Sequence, residues 1–385
     1  MRVTLTSRIF SPEPAAASFR LAALADAIAD AGHEVTVLTS TVPGDGTPST
    51  RPAVRVRRFP VLRDRAGYVR GYAQYMSFDI PLFFRLLLAR RASVVVTEPP
   101  PTTGAVVRLA CWLRRTPYVY YAADIWSDAA VATDAPAWVV SGVRMLELFS
   151  LRGAAAVLSV SEGVSARLAE LGILERVTLI GNGVDTELFV LGSGRAVGES
   201  PYLVYAGTAS EVHGAGVFLD AFAKVVSARP DTRLVFIGQG AEREAIEQAA
   251  RALPPGVVHF EPRLSPGEVA DWLGGASASL ASVRPGQGYD FSFPTKMYAA
   301  VACGTPVIYA GVGPGRDFTL LGGDVGESVD YEVDAVAAAM LRALDAGPTL
   351  ERRAQIREWA AANVGSAAVA NRAVDAIAAA ARTTP

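Results

Sequence analysis

The stretch RVTLTSRIFSPEPAAASFRLAALADAIADAGHEVTVLTS, residues 2–40, decides the architecture. A β-branched run, RVTLTS, gives way to an Ala- and Leu-rich helical stretch from Ala15 to Ala31, then to a second β-branched run, HEVTVLTS. Strands separated by a single helix of this length pair in parallel, because the helical crossover returns the chain to the same edge of the sheet. The rhythm continues with a strand near Val54 to Arg58, VVVTEPP from Val94, YVYYAADIW from Tyr118, AAAVLSVSEG from Ala154 followed by helical SARLAELG, and VTLIGNG from Val177. FVLGSGRAVGES, residues 189–200, breaks it with Gly and Ser and reads as a linker. The alternation restarts at YLVYAG from Tyr202 and runs through TRLVFIGQG, VVHF, ASLASV and TPVIYAG, with helices at 214–228, 241–252, 265–274 and 295–303.

This pattern predicts an α/β chain of two Rossmann-like, doubly wound parallel-sheet domains, residues 1–190 and 191–348. Helical sequence over 349–385, broken near Gly365, is expected to pack back across the first domain. The length of 385 residues agrees, since single hydrophobic cores stop growing well below it.

Composition narrows the class. With 51% hydrophobic and 19% charged residues and a mean hydropathy of +0.27, the chain is not disordered. No apolar run reaches the ~18 residues of a spanning helix, and MRVTLTSRIFSPEP reads as strand and turn without a signal peptide's apolar block, so a cytoplasmic protein is expected. Cys111 and Cys303 lie in apolar helical contexts without ligand spacing, which predicts buried thiols and no metal site. The net charge of −2 hides an imbalance: residues 51–91 hold ten arginines against Asp64 and Asp79, interleaved with aromatics. Such a segment suits a phosphate-bearing acceptor or the inner face of an anionic membrane, or else forms a solvated helix face. No nucleic-acid partner is expected.

Missing motifs exclude other chemistry. Gly181/Gly183 and Gly238/Gly240 are GxG pairs without the third glycine of a dinucleotide fingerprint. There is no Walker A loop, GxSxG elbow or HExxH, which removes ATPase, serine hydrolase and zincin readings.

In doubly wound sheets ligands bind beyond the carboxyl ends of the strands. There the informative segment is FSFPTKMYAAVACGTPVIYAG, residues 291–311. Pro294, flanked by Ser292 and Thr295, starts a helix whose free amides would attract an anion. Lys296 sits in its first turn, where a cation opposes the helix dipole unless an anion lies between them. The only other lysine is Lys224, on the exposed side of an amphipathic helix.

This segment resembles the PSK-x-YEY-x-A-x-G-x-PVI signature of family 4 (group 1) glycosyltransferases, in the form common among bacterial members. FSPEPAAASFRLAALADAIADAGHEVTVLTS, YAADIWSDAA, AAAVLSVSEGVSARL and IGNGVDTELF resemble the family's other motifs in the same order, so the likeness covers nearly the whole chain. It implies a GT-B fold, two Rossmann-like domains facing a central cleft, the first binding acceptor and the second the nucleotide-sugar donor. It also implies a retaining, metal-independent transfer to a lipid-linked, glycan or small-metabolite acceptor, with no cofactor beyond the nucleotide-diphosphate sugar as co-substrate. Lys296 would hold the diphosphate, and no side-chain nucleophile is needed.

The departures are specific. The carboxylates that clamp the donor in the family fall at Phe291 and Ala299, and Asp290 could take over a sugar contact or serve as a turn residue. A basic pair after the first strand of the second domain falls at Thr208 and His213, and Arg263 and Arg284 could supply the missing charge. Gly207, Gly238 and Gly240 would let backbone approach the nucleotide, or serve turn geometry alone. In the first domain Asp124 orients the acceptor or caps a helix, with Trp126 beside it, and Glu13 and Arg20 are candidate acceptor contacts. His33 and His259 are expected to satisfy internal hydrogen bonds. Two other readings stay open: a catalytically degenerate nucleotide-sugar-binding protein, and a GT-B nucleotide-sugar 2-epimerase.

Overall fold

A computed structural model describes the chain except for residues 14–15, 43–52, 65–68, 70, 133–135, 191–199, 288, 291, 348 and 384–385. It divides into two compact units: 1–182 with 367–385, and 183–366.

In the first unit β1 (Arg2–Thr6), β2 (Glu34–Ser40), β3 (Val54–Phe59), β4 (Val94–Thr97), β5 (Tyr118–Ala122), β6 (Ala156–Ser159) and β7 (Val177–Leu179) form one parallel sheet in the order β3-β2-β1-β4-β5-β6-β7. Val3 is opposite Val35 on one side and Val94 on the other. Every residue of β4 and β5 is buried, as expected of strands covered on both faces, which is why they read as unbroken apolar runs. The covering helices are α1 (Ala16–Asp30), α2 (Tyr72–Leu88), α3 (Pro101–Arg114), α4 (Trp126–Ala132), α5 (Ala137–Gly153) and α6 (Glu162–Glu170).

The second unit repeats the plan with β8 (Tyr202–Ala206), β9 (Arg233–Ile237), β10 (Val258–Glu261), β11 (Ala278–Val283), β12 (Val307–Gly311) and β13 (Gly326–Val329), ordered β10-β9-β8-β11-β12-β13. Its helices are α7 (Gly216–Ala228), α8 (Arg243–Ala250), α9 (Pro266–Gly275), α10 (Lys296–Ala302), α11 (Pro314–Leu320), α12 (Val333–Ala346) and α13 (Leu350–Asn363). Strand order reverses between β1 and β4 in one sheet and between β8 and β11 in the other, which opens a crevice at the carboxyl ends there.

The chain enters the second unit at Gly183, ahead of residue 190. The reason is local: Arg357 of α13 donates to the Thr186 and Phe189 carbonyls, binding that stretch to the second unit. The linker expected at 189–200 falls largely on residues 191–199, outside those described. At the return crossing Val184 and Ser366 exchange backbone hydrogen bonds of 2.9 and 2.8 Å with Val364 and Val184. A Cβ on Gly183 would lie 2.9 Å from the Ser366 Cα, so only glycine fits that pairing.

Beyond the crossing, α14 (Ser366–Arg382) joins the first unit and buries Val369, Ala373, Val374 and Ile377 against Val3, Leu24 and Ile28. Replacing the fully buried Ile377 by Ala should lower stability by about 2–5 kcal/mol, read as a lower urea midpoint. An unchanged midpoint would show that α14 is not part of this core.

Candidate active site

At the switch point of the second sheet, β8 ends in Tyr205 and Ala206 and turns at Gly207 (φ 138°). The Lys296 side chain reaches this turn from the start of α10, its ammonium 3.6 Å from the Tyr205 ring centroid. A Cβ on Gly207 would lie 3.1 Å from Lys296 Cε and 3.2 Å from Nζ, so glycine keeps the path open. The ammonium is buried and has no hydrogen-bond partner among the described residues. Burial pulls it down from its ordinary value to about 7. The ring face offers only a cation–π attraction, far less than a carboxylate would give.

His213, in the loop after β8, lies in the same field. Burial first, and the Lys296 charge second, pull its imidazole down to about 4, and Ser210 Oγ lies 2.7 Å from its Nδ1. Thr208 directs its carbonyl to the Tyr205 hydroxyl at 2.8 Å. Arg284 follows β11 and pairs with Glu242 at 3.3 Å, while Glu242 also accepts from the Ala215 amide. Hydrogen bonding to Tyr331 and the charge of Glu242 hold the Arg284 guanidinium high. Glu242 and Tyr331 were not singled out from sequence, because their partners lie far along the chain.

The expected row of free helix amides is shortened by two. Thr295 is the cap of the seven-residue α10, Pro294 lies buried before it, and the amides of Met297 and Tyr298 close on the Pro294 and Thr295 carbonyls. Tightening of the first turn consumes donors that a longer frayed end would leave open, so the positive charge here rests on Lys296. Ser292 gives its amide to Tyr289. Asp290 is exposed and its carboxylate accepts from the Gly286 amide, a turn role. Arg263 is exposed past β10. Ala299 is half-buried in α10, and Phe291 lies outside the described residues.

Gly238 and Gly240 have a packing reason. Cβ atoms there would lie 2.5 Å from the Gly207 carbonyl and 2.1 Å from that of Ala209, so the loops after β8 and β9 touch only because both are glycine.

The first unit's switch point is built differently. Glu98, after β4, accepts from Ser7 at 2.5 Å and pairs with Arg20 at 3.2 Å. Glu13 is buried, with Arg63 donating to both its oxygens. Glu13 and Arg20, expected as acceptor contacts, are thus held in ion pairs by Arg63 and Glu98. Asp124 is exposed just past β5, its carboxyl moved upward by lost hydration against the pull of Arg20. The cap of α4 is Glu147, not Asp124: its carboxylate accepts from the Trp126 and Ser127 amides at 2.7 and 3.1 Å. Trp126 packs edge-on to Tyr75, and the Arg8 guanidinium lies 4.2 Å from that ring. Arg8 and Glu98 went unnoticed in the sequence, although both immediately follow central strands.

Lys224 pairs with Asp334 on the surface, and His33 and His259 find partners in the Met1 amine and Glu261. Cys111 and Cys303 are free and buried.

Comparison with known families agrees with this layout. Residues 16–183 match the Glycosyl transferase 4-like domain, and residues 200–346 match Glycosyl transferases group 1. The chain is 25% identical over 352 residues to glycogen synthase of Mycobacterium tuberculosis, covering 86% of this chain and 83% of that one. It is 29% identical over 224 residues to D-inositol 3-phosphate glycosyltransferase 2 of Catenulispora acidiphila, covering 52% of this chain and 51% of that one. The structure of Anabaena HepE in complex with UDP aligns at a TM-score of 0.67 and 15% identity, over 98% of this chain and 99% of that chain. Fold and domains together define a GT-B glycosyltransferase. More particularly, the chain joins a glycosyltransferase 4-like domain to a group 1 domain.

The depressed Lys296 value fixes a sign. Between about 7 and 10.5 the folded chain binds fewer protons than the unfolded one, so this group's cost to stability is full below pH 7 and vanishes above 10.5. Lys296→Met should therefore melt higher than the wild type at pH 6, with the advantage shrinking as pH rises past 7. A lower melting temperature at pH 6 would contradict the buried, unpaired ammonium.

Proposed function

We propose that this glycosyltransferase moves a sugar, with retention of configuration and without a metal, from a nucleoside-diphosphate sugar on the second unit to an acceptor on the first. The observation that carries the reading is the unpaired, buried Lys296 ammonium at the switch point between β8 and β11. A charge in such a place is stable only when an anion joins it, and a diphosphate supplies one. Anabaena HepE, similar in fold, was solved with UDP and with UDP-glucose, which supports the donor class.

In this mechanism the bond from the sugar's anomeric carbon to the diphosphate oxygen breaks, and the Lys296 ammonium stabilises the charge that collects on the leaving phosphate. Arg284 and Arg263 add to the positive field, while Gly207, Thr208 and His213 shape the turn that receives the nucleotide. The acceptor oxygen attacks the same face of the sugar, and its proton passes to the leaving phosphate oxygen, so no side-chain nucleophile is required. Asp124 orients the acceptor hydroxyl and Trp126 supports its ring. The acceptor is a lipid-linked sugar, a glycan or a small metabolite, and the basic stretch 51–91 would bring the enzyme to an anionic surface.

The test is a melting-temperature screen against UDP, GDP, dTDP and ADP and their sugars. A ligand at a hundred times its dissociation constant should add about 2.7 kcal/mol, and Lys296→Ala should remove that shift. Binding should also weaken about tenfold per pH unit above 7, because the diphosphate must bring a proton back to Lys296. A shift unchanged in Lys296→Ala would refute the phosphate role. Tight binding without transfer or hydrolysis would favour a degenerate binding protein instead.

A further inference from the structure

We propose that the outer face of α2, α3 and α5 in the first unit is a docking surface for an anionic lipid bilayer. α3 packs between α2 and α5, so the three helices form one layer over the sheet. On α2, Phe78, Leu82 and Leu86 face the core, yet Ile80, Phe84 and Leu88 point outward and are exposed. Leu88 is 85% accessible. A helix apolar on both sides needs a second apolar neighbour, and the described residues leave the outward side of α2 exposed.

The stripe continues across the layer. Leu109, Trp112 and Leu113 are exposed on α3, and Trp138, Met145 and Phe149 on α5. With Tyr72, these helices carry ten of the twenty-one large apolar side chains that are exposed among the described residues, too many in one layer for ordinary surface scatter.

Charge selects the occupant. Arg90, Arg91, Arg115, Arg144 and Arg152 are exposed on these helices or at their ends. The only acids on the three helices are Asp79 and Glu147, 0% and 1% accessible, so the helices themselves present no negative charge beside the arginines. A second copy of the chain would bring like charges together. An acidic protein would answer the arginines and leave the outward indoles and leucines without a hydrocarbon phase to enter. A bilayer with anionic headgroups satisfies both: arginines meet phosphates while Trp, Phe and Leu sink to the acyl boundary. Between α3 and the start of β5 lies a cavity of about 850 Å³ lined by Arg108, Trp112, Leu113, Arg115 and Arg176, suited to a headgroup.

This surface shares α2, Arg90 and Arg91 with the 51–91 stretch read from sequence, but not that stretch's other arginines. Arg58 and Arg63 turn inward to backbone carbonyls and to Glu13, and Arg85 lies on the Phe59 ring. The proposal also stands apart from the donor site, since its residues belong to the first unit and Lys296 to the second.

The experiment is co-sedimentation of the full chain with phosphatidylcholine vesicles and with phosphatidylcholine–phosphatidylglycerol vesicles, at low and high salt. Wild type should bind the mixed vesicles, release in high salt, and show a blue shift of tryptophan emission. Each arginine near the surface contributes roughly fivefold to partitioning, so Arg144→Glu with Arg152→Glu should cut it by more than about tenfold. Trp112→Ser should weaken binding and reduce the blue shift. Arg251→Glu with Arg342→Glu, in the second unit, should bind like wild type. Circular dichroism of each variant separates misfolding from lost docking, and nucleoside-diphosphate binding is read independently by melting. Equal binding to neutral vesicles, insensitivity to Arg144→Glu with Arg152→Glu, or self-association in place of lipid binding would overturn the proposal.

Discussion

A buried ammonium with an aromatic ring beneath it and, among the described residues, no hydrogen-bond partner is the constraint on which the second unit turns. Lys296 cannot be neutralised by its own neighbours, so it loses proton affinity until its value stands near 7. Its surroundings keep that condition. Gly207 leaves out the Cβ that would block it, Tyr205 supplies a π face, and His213 is driven neutral. The arrangement costs the folded protein stability wherever Lys296 is charged, the exchange expected of a site prepared before its ligand arrives if the proposed diphosphate binds there. Because the cost is electrostatic, it follows pH with a definite sign.

The first unit reaches the same topological position by the opposite route. Its crevice cations are already answered: Arg20 by Glu98, Arg63 by Glu13. Arg8 spends its guanidinium on the Val69 carbonyl and the Tyr75 ring. Two of these three cations are closed in ion pairs, and buried Arg8 is held by a carbonyl and a ring face instead. Two sheets with related strand orders therefore hold their crevice charges differently: Arg20 and Arg63 are ion-paired, whereas the Lys296 ammonium has no hydrogen-bond partner among the described residues.

The alternation of strands and helices was legible because parallel strands covered on both faces must be apolar throughout, as VVVT and YVYYA are. β13 escaped that reading because GESV is short and half-polar, and its identity comes from pairing with β12. α2 was obscured by Pro81 and by apolar residues on both sides, which blur the helical period. Lys296 could be found as one of two lysines in an arginine-rich chain, but its solitude could not, since burial depends on β8 folding against α10. The partners of the other site residues were hidden for a related reason: Glu98 lies 91 residues from Ser7, and Glu242 lies 42 from Arg284. The helix-amide expectation was trimmed at a finer level, through three-residue closures at Met297 and Tyr298 that composition does not reveal.

Net charge misled in an instructive way. The excess of arginine in residues 51–91 is real, but several of those groups are structural, and the outward positive face is assembled from three helices that span a longer stretch. What makes that face positive is the inward placement of its two acids. Asp79 accepts from Thr103 at 2.6 Å and so fastens α2 to α3, with burial raising its carboxyl against that hydrogen bond. Glu147, reaching back from α5, caps α4 through the Trp126 and Ser127 amides and thereby fixes the turn that carries Asp124. The same two burials that strip negative charge from the helical layer thus hold that layer together and set the geometry of the loop at the carboxyl end of β5. A substitution at Asp79 would act on the surface and the packing of α2 on α3, and one at Glu147 on the surface and the crevice loop, because each carboxylate is bound inside.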